Sequence, residues 1–440
     1  MKYHFIGIGG VGMSALARIM REKGHEVSGS DVAKSYVTKD LEEIGIDIFY
    51  EQVKENITKD QIVVYSTAIK PSNPEWIAAR ENVKMHRSEL LEELLAEKNA
   101  LLVVGAHGKT TTTSLLSHIF ETASFDPSFV IGGFSDSLHL ANGRCGKGDY
   151  FIAEGDESDG SFLRANPFGA IITNVDFDHL DFWKSEDALL EAYQKFIKQV
   201  KRKELLFYFH EDHFLTLWKT EGISYGFDEN ADLRASNIRF SKGRQFFTIG
   251  FQGKTFDDVQ LNLLGRHNVL NAIACFGMAY SLGIQEEKIR LALATFKGVK
   301  RRLEWKGNVN GADIYDDYAH HPEEIEATLA ALRQAFKDLR RIAVFQPHRY
   351  TRLKDLMAQF ANAKVWKDSD ELIVTDIFSA GEDKIEGVTI EVFLKQLEKK
   401  FTYVPRDKLT DFLRKKIQAN DLVVTLGAGD ITKVSAELTT

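Results

Sequence analysis

Apolar residues along this chain fall into short runs that alternate with stretches of helical periodicity. The first run, "YHFIGI", is closed by a glycine-rich turn and followed by Leu16, Ile19 and Met20, which share one helix face until Gly24. This predicts a strand, a tight turn and a helix. "EVSGSD" predicts a second strand, "VVYSTAI" a later one, and "SELLEELLAEK" an amphipathic helix entered at Ser88. Near Lys98-Asn99 the order restarts. "ALLVV", the glycine turn and the helix of "GAHGKTTTTSLLSHIF" precede the strands "YFIAE" and "GAIITNV". Ser224 to Gln260 is richer in short β-like runs such as "RQFFTIGF", before "HNVLNAIACFGMAYSLG" returns to helix. A third alternation begins near Gly298 and carries "ADIYDDYAHHPEEIEATLAALRQAF", "RRIAVFQPHR", "ELIVTDIF" and "DLVVTLGAGDI". Strands alternating with helices form parallel sheets with right-handed crossovers, so the pattern predicts an α/β chain of three domains, 1–97, 98–298 and 299–440.

Composition narrows what such a chain can do. At 440 residues it exceeds one ordinary domain, and 44% hydrophobic with 27% charged residues and 7 prolines is a soluble globular composition, not a fibrous or disordered one. A formal net charge of −8 argues against the broad basic surface of a nucleic-acid binder, while leaving room for a local basic cleft. Cys145 and Cys275 are far apart and form no CxxC pattern, which fits a reducing compartment. Lys2, the apolar run to Met13 and Ala15-Leu16-Ala17 have the order of a signal peptide, but glycines break the would-be helix. No uninterrupted apolar stretch approaches the ~20 residues of a membrane span. The expectation is a soluble, cytoplasmic protein with neither nucleic acid nor membrane as partner.

Two glycine turns carry the first candidate chemistry. Gly7-Ile8-Gly9-Gly10-Val11-Gly12 fits GxGxxG after a strand, and Asp31 ends the next strand. Glycines there let backbone amides approach a diphosphate, and the carboxylate suits ribose hydroxyls; NAD and other nucleotide diphosphates fit equally. Gly105-Ala106-His107-Gly108-Lys109-Thr110 is a shortened phosphate-binding loop, with Val103 where the full pattern has its first glycine. Lys109 suits the β- and γ-phosphates and Thr110 can offer a hydroxyl to Mg2+. "IAEGDESDG" adds Glu154, Asp156, Glu157 and Asp159, carboxylates of the kind that hold Mg2+ near phosphate loops or that line a solvated loop. Asp178 and His179 follow a further apolar strand. In "GRHNVLNA", His267, Asn268 and Asn271 share a helix face, where amides can read a purine edge or cap the helix. "KRRLE", "DDYAHHPEE" and "FQPHRYTR" supply arginines and histidines whose forks suit a carboxylate or phosphate.

Taken in order, "GIGGVGMSALA", "GAHGKTTTT", "AEGDESDGSF", "NVDFDHLD", "GRHNVLNA", "DDYAHHPEE" and "FQPHRYTR" resemble the Mur ligase family from Met1 to about Gly429. The resemblance implies a Rossmann-like N-terminal domain for a UDP-sugar, a central P-loop-type ATPase domain and a Rossmann-like C-terminal domain for an amino acid. It implies an ATP-dependent ligase of peptidoglycan precursor synthesis that joins L-alanine to the lactyl carboxylate of UDP-N-acetylmuramate through an acyl phosphate. A murein-tripeptide recycling ligase, a nicotinamide oxidoreductase and a non-catalytic nucleotide sensor are the alternatives. By the resemblance, Gly9, Gly10, Val11, Gly12, Asp31 and Ser66 bind the UDP-sugar. Gly105, His107, Gly108, Lys109, Thr110, Thr111, His267, Asn268, Asn271, Arg302 and Asp317 bind ATP, and Thr110, Glu154 and His179 hold Mg2+. Tyr318, His320, His348, Arg349 and Arg352 bind alanine, and Lys109, His179, His348 and Arg349 are the residues expected to act in catalysis. A monomer or weak homodimer is expected. The chain departs from the family at Ala106, Gly155, Phe177 and Phe182, and Gln194 stands near the place where several relatives carry a carbamylated lysine. Neither Ala106 nor Gly155 removes a side-chain ligand.

Overall fold

A computed structural model describes residues 1–177, 180–241 and 244–440. The chain packs as two compact units. The first holds Met1–Ile238, Phe246–Leu261 and Leu270–Lys297; the second holds Arg239–Gln245, Asn262–Val269 and Gly298–Thr440.

The first unit contains a five-stranded sheet of β1 (Lys2–Ile6), β2 (Glu26–Ser30), β3 (Asp47–Phe49), β4 (Gln61–Tyr65) and β5 (Lys84–His86). Its order β3-β2-β1-β4-β5, parallel throughout, is that of a Rossmann-like sheet. The helix Arg87–Ala96 starts one residue earlier than the Ser88 entry expected from sequence. The reason is local: the ring of His86 accepts from the Ser88 N–H while Glu89 accepts from the His86 N–H at 2.8 Å, closing a capping box.

A second sheet has ten strands. They are β6 (Asn99–Val104), β7 (Ser128–Val130), β8 (Gly143–Arg144), β9 (Tyr150–Glu154), β10 (Gly169–Ile172), β11 (Leu206–Phe209), β12 (Ile223–Gly226), β13 (Leu233–Ser241), β14 (Arg244–Phe251) and β15 (Lys254–Leu261). Their order is β15-β14-β13-β12-β11-β10-β6-β9-β7-β8. β6 lies between parallel β9 and β10, so the loops leaving all three emerge at one sheet end. Both faces of β6 are covered, which explains why Ala100 to Val104 read as an unbroken apolar run. One hydrophobic cluster runs from Phe5 and Ile8 through Leu94 and Leu102 to Tyr193 and Phe196, joining the two sheets of this unit.

The second unit is built on β16 (Glu304–Val309), β17 (Ala312–Asp317), β18 (Arg340–Phe345), β19 (Glu371–Val374), β20 (Phe401–Tyr403) and β21 (Asp421–Leu426). Their order is β16-β17-β21-β18-β19-β20, with β16 antiparallel at the edge and the rest parallel. Alternate residues divide between two cores. Tyr315, Phe345, Val374 and Val424 join Trp366 on one face, and Ile314, Val344, Ile373 and Val423 join Leu409 and Val434 on the other. This is a doubly wound, Rossmann-like sheet. Among the described residues no helix is long and apolar enough to cross a membrane.

Candidate active site

The first glycine turn closes between β1 and the helix Val11–Glu22, for which Gly10 is the N-cap. Gly7 takes φ 76°, and the Gly7 and Ile8 N–H groups donate to the Ser30 carbonyl at 2.8 and 2.9 Å. Asp31, expected to take ribose hydroxyls, is turned onto the turn itself: its carboxylate accepts from the Gly9 N–H at 2.8 Å and the Ala33 N–H at 3.2 Å. A β-carbon at Gly9 would stand 2.7 Å from Asp31 Oδ2, so only glycine admits this contact. Phe5 is opposite Val64 in the sheet, which puts Ser66, just beyond β4, level with Gly7. Gly9, Gly10, Val11, Gly12, Asp31 and Ser66 therefore gather at one end of this sheet.

The second turn leaves β6 and feeds the helix Lys109–Thr122. Gly105 has φ 132°, and a β-carbon there would collide with Thr173 Oγ1 at 2.1 Å; Gly108 has φ 85° and abuts Asn271. The turn is pinned from outside by Asn174, which accepts from the His107 N–H at 2.9 Å and donates to its carbonyl at 3.0 Å. Lys109 folds back over the turn, donating to the Gly105 carbonyl at 2.6 Å and to Glu157 Oε1 at 2.7 Å. Thr110 donates to Glu154 Oε2 at 3.2 Å, and the Gly132 N–H holds the other oxygen at 2.6 Å. A hydroxyl and a carboxylate meeting beside a phosphate-loop lysine are hard oxygen donors of the kind Mg2+ takes. Thr111 is buried beside them, and Thr113 bonds back to the Lys109 carbonyl. Asp178 and His179 lie outside the described residues.

The acidic side chains of the loop 155–161 are paired with basic ones. Glu157 is taken by Lys109, and Asp156 and Asp159 both accept from Arg87 at 2.8 Å. Burial raises the Glu157 carboxyl above its ordinary range, against the pull of Lys109. Burial pushes Asp156 the same way, but its hydrogen bonds to Ser158 and Arg87 outweigh that and leave it lowered. Arg87 and the pairing of Glu157 were not visible in the sequence. One signal existed: an arginine in the first helical turn opposes the helix dipole and calls for acidic partners.

In the second unit, Asp317 ends β17 buried, accepting from the Leu303 and Ala319 N–H groups at 2.7 Å each. Burial raises its carboxyl to about 6, against the nearby Arg302. Arg301 and Arg302 lie over the Tyr318 ring, 4.8 and 5.2 Å from its centre. His320 and His348 meet edge-on with ring centres 6.0 Å apart, and His348 stacks on Phe378. Burial lowers both rings to about 4. Neutral His348 can then accept from Arg352 Nη1, 3.1 Å from its Nδ1. Arg349, at φ 69°, directs Nε at Glu382 Oε1, 2.5 Å away, and Thr351 donates to the same carboxylate. Glu382 was not singled out from sequence, since it lies 33 residues from Arg349. Tyr318, His320, His348, Arg349 and Arg352 thus form one cluster where β17 and β18 end. His267 is packed near Arg302 and Glu324, and burial lowers its ring to about 4. Asn268 lies inside the helix Arg266–Ser281, and its side-chain nitrogen donates to the Leu264 carbonyl at 2.7 Å, a contact distinct from an N-cap, whose side chain accepts from a backbone N–H.

Three successive family patterns cover most of the chain. Residues 2–99 match the Mur ligase family, catalytic domain; residues 103–279 the Mur ligase middle domain; and residues 301–429 the Mur ligase, glutamate ligase domain. The chain belongs to the Mur ligase family. This Mur ligase is 44% identical over 443 residues to a UDP-N-acetylmuramate--L-alanine ligase of Protochlamydia amoebophila, covering 99% of this chain and 97% of the relative. It is 40% identical over 448 residues to the enzyme of that name from Geotalea daltonii, covering 99% and 97%. Among solved structures, the UDP-N-acetylmuramate-alanine ligase of Thermotoga maritima superposes with a TM-score of 0.86 at 30% identity, covering 100% of this chain and 98% of that one. A murein peptide ligase of Psychrobacter arcticus shares the fold with a TM-score of 0.71 at 23% identity, covering 100% and 99%.

Proposed function

We propose that this Mur ligase joins L-alanine to the lactyl carboxylate of UDP-N-acetylmuramate, driven by ATP, in peptidoglycan precursor synthesis. The observation that carries the chemistry is the meeting of Lys109, Thr110 and Glu154 at one sheet end; full-length similarity to alanine-adding relatives supports the choice of substrates. The lactyl carboxylate attacks the γ-phosphorus of ATP and ADP leaves; the alanine amine then attacks the acyl carbon and phosphate leaves. A carboxylate is a poor electrophile, so the first step creates the leaving group that the second needs. Lys109 would exchange Glu157 for the γ-phosphoryl oxygens, offsetting charge that builds there. Thr110 and Glu154 would hold one Mg2+, and His179 a second. When bound, such ions would neutralise phosphate charge. The amides of Gly105 to Thr111 would surround the phosphates, and Asn271, His267, Asn268, Arg302 and Asp317 would serve the rest of ATP.

In the N-terminal domain the amides from Gly9 to Gly12 would take the diphosphate of the UDP-sugar, with Asp31 fixing the turn and Ser66 beside it. Tyr318, His320, His348 and Arg352 would enclose alanine, whose carboxylate the Arg349 fork clamps. Substrates such as ATP and a UDP-sugar point to the cytoplasm, and a monomer or weak homodimer suffices. The test is phosphate release from ATP with UDP-N-acetylmuramate and each amino acid in turn. Turnover should need both the UDP-sugar and L-alanine. Vigorous hydrolysis with either one missing would overturn the assignment, and a requirement for a peptide in place of alanine would shift it to a recycling ligase.

A further inference from the structure

Arg87 stands at the first position of its helix, where a positive charge opposes the helix dipole. Its surroundings supply the compensation. Nη2 donates at 2.8 Å to both Asp156 Oδ2 and Asp159 Oδ2, and the side chain keeps only 22% of its surface exposed. The other nitrogen faces the N-terminal glycine turn: a β-carbon at Gly12 would sit 3.5 Å from Nη1. One planar fork therefore spans two places that sequence separates widely, the start of the helix Val11–Glu22 and the loop 155–161.

That loop bears on the phosphate site at two points. It begins directly after Glu154, the partner of Thr110, and it carries Glu157, the partner of Lys109. Its shape is held by the same two aspartates, since Asp156 accepts from the Ser158 N–H and Asp159 from the Ser161 N–H, each at 3.0 Å. One guanidinium against two carboxylates leaves negative charge in excess. An anion at the amides of Gly9 to Gly12 would therefore draw on the same guanidinium as the aspartates do.

We infer that Arg87 is a positioning residue that links the two glycine turns, holding Asp156 and Asp159 with one nitrogen and answering a diphosphate at Gly9–Gly12 with the other. The inference rests on the reading of that first turn as the UDP-sugar site. An anion there shifts the fork, the aspartates shift with it, and Glu157 loosens or tightens its hold on Lys109. Because such a link is an equilibrium property, UDP-sugar and ATP must alter each other's affinity by one common factor. A residue that merely staples the fold would affect stability and leave that factor alone.

The experiment measures the affinity of the full-length enzyme for a non-hydrolysable ATP analogue with Mg2+, by calorimetry, with and without saturating UDP-N-acetylmuramate. The wild-type ratio should fall in the range of about 5- to 150-fold usual for linked sites. Arg87→Lys keeps the charge but loses the fork, and should bring the ratio towards one while the ATP analogue alone still binds. The paired change Asp156→Asn with Asp159→Asn approaches the same link from its other side, and serves if the arginine variant does not fold. A ratio of one in the wild type, or an undiminished ratio in either folded variant, would overturn the inference. Wild-type turnover with both co-substrates would then still stand, so this failure is distinct from failure of the proposed activity.

Discussion

Lys109 Nζ lies 2.7 Å from Glu157 Oε1, and Glu157 Oε2 is buried with no hydrogen-bond partner among the described residues. The lysine expected to serve phosphoryl transfer is therefore also the counter-charge of a buried carboxylate. Removing one member of such a pair strands the other in a medium that solvates it poorly.

Lys109→Ala should abolish nearly all ATP turnover and also destabilise the fold by about 3 kcal/mol, the scale of a broken buried pair. Adding Glu157→Gln should restore most of the stability and none of the turnover. Denaturant unfolding alongside phosphate release checks both, and a single variant as stable as wild type would show that the pair carries no structural weight.

Glu154→Gln keeps an oxygen for the Gly132 N–H but removes the negative charge beside Thr110. The Mg2+ concentration for half-maximal turnover should rise about tenfold or more, the scale of changes at metal sites. A Mg2+ titration that superposes on the wild-type curve would remove Glu154 from the metal site.

Arg349→Lys keeps charge and loses the fork that Glu382 orients through Nε. Loss of one charged hydrogen bond of ~1.5–3 kcal/mol should raise the KM for L-alanine roughly 10- to 150-fold, with the KM values for ATP and UDP-sugar little changed. A fall in kcat at saturating L-alanine would instead place Arg349 on the acyl phosphate. Unchanged kinetics in all three substrates would take it out of the site.

Burial holds His320 and His348 at about 4 in the folded chain, whereas an unfolded imidazole takes its proton near 6.5. Between those values the unfolded chain binds more protons. These rings therefore contribute stability that is fully present above about pH 6.5 and is lost as pH falls towards about 4. Asp317, raised to about 6 by burial, acts with the opposite sign: its contribution falls as pH rises from about 4 through about 6. His348→Gln should flatten the acid-side loss of stability, measured by unfolding at a series of pH values. In the wild type, NMR titration should find the His348 ring neutral at about pH 5.5; a protonated ring there would contradict the burial argument.

Local features were legible along the chain. Short apolar runs and helical spacing mark the strands and helices, and the glycines at Gly7, Gly105 and Gly108 mark backbone that other residues adopt only under strain, so both glycine turns could be read along the chain. Lys109 and Thr110 follow from their turn in the same way. What the sequence could not assign was the partner of each charge. Asp156, Glu157 and Asp159 look equivalent in a row, yet Glu157 pairs with Lys109, 48 residues away, and the two aspartates pair with Arg87, 69 and 72 residues away. Likewise Glu154 meets Thr110 only because β9 lies beside β6 in the sheet. A carboxylate in sequence is a charge with a free choice of partner. Strand order and helix packing remove that choice, because a buried charge must end beside whichever opposite charge the fold brings within hydrogen-bond reach.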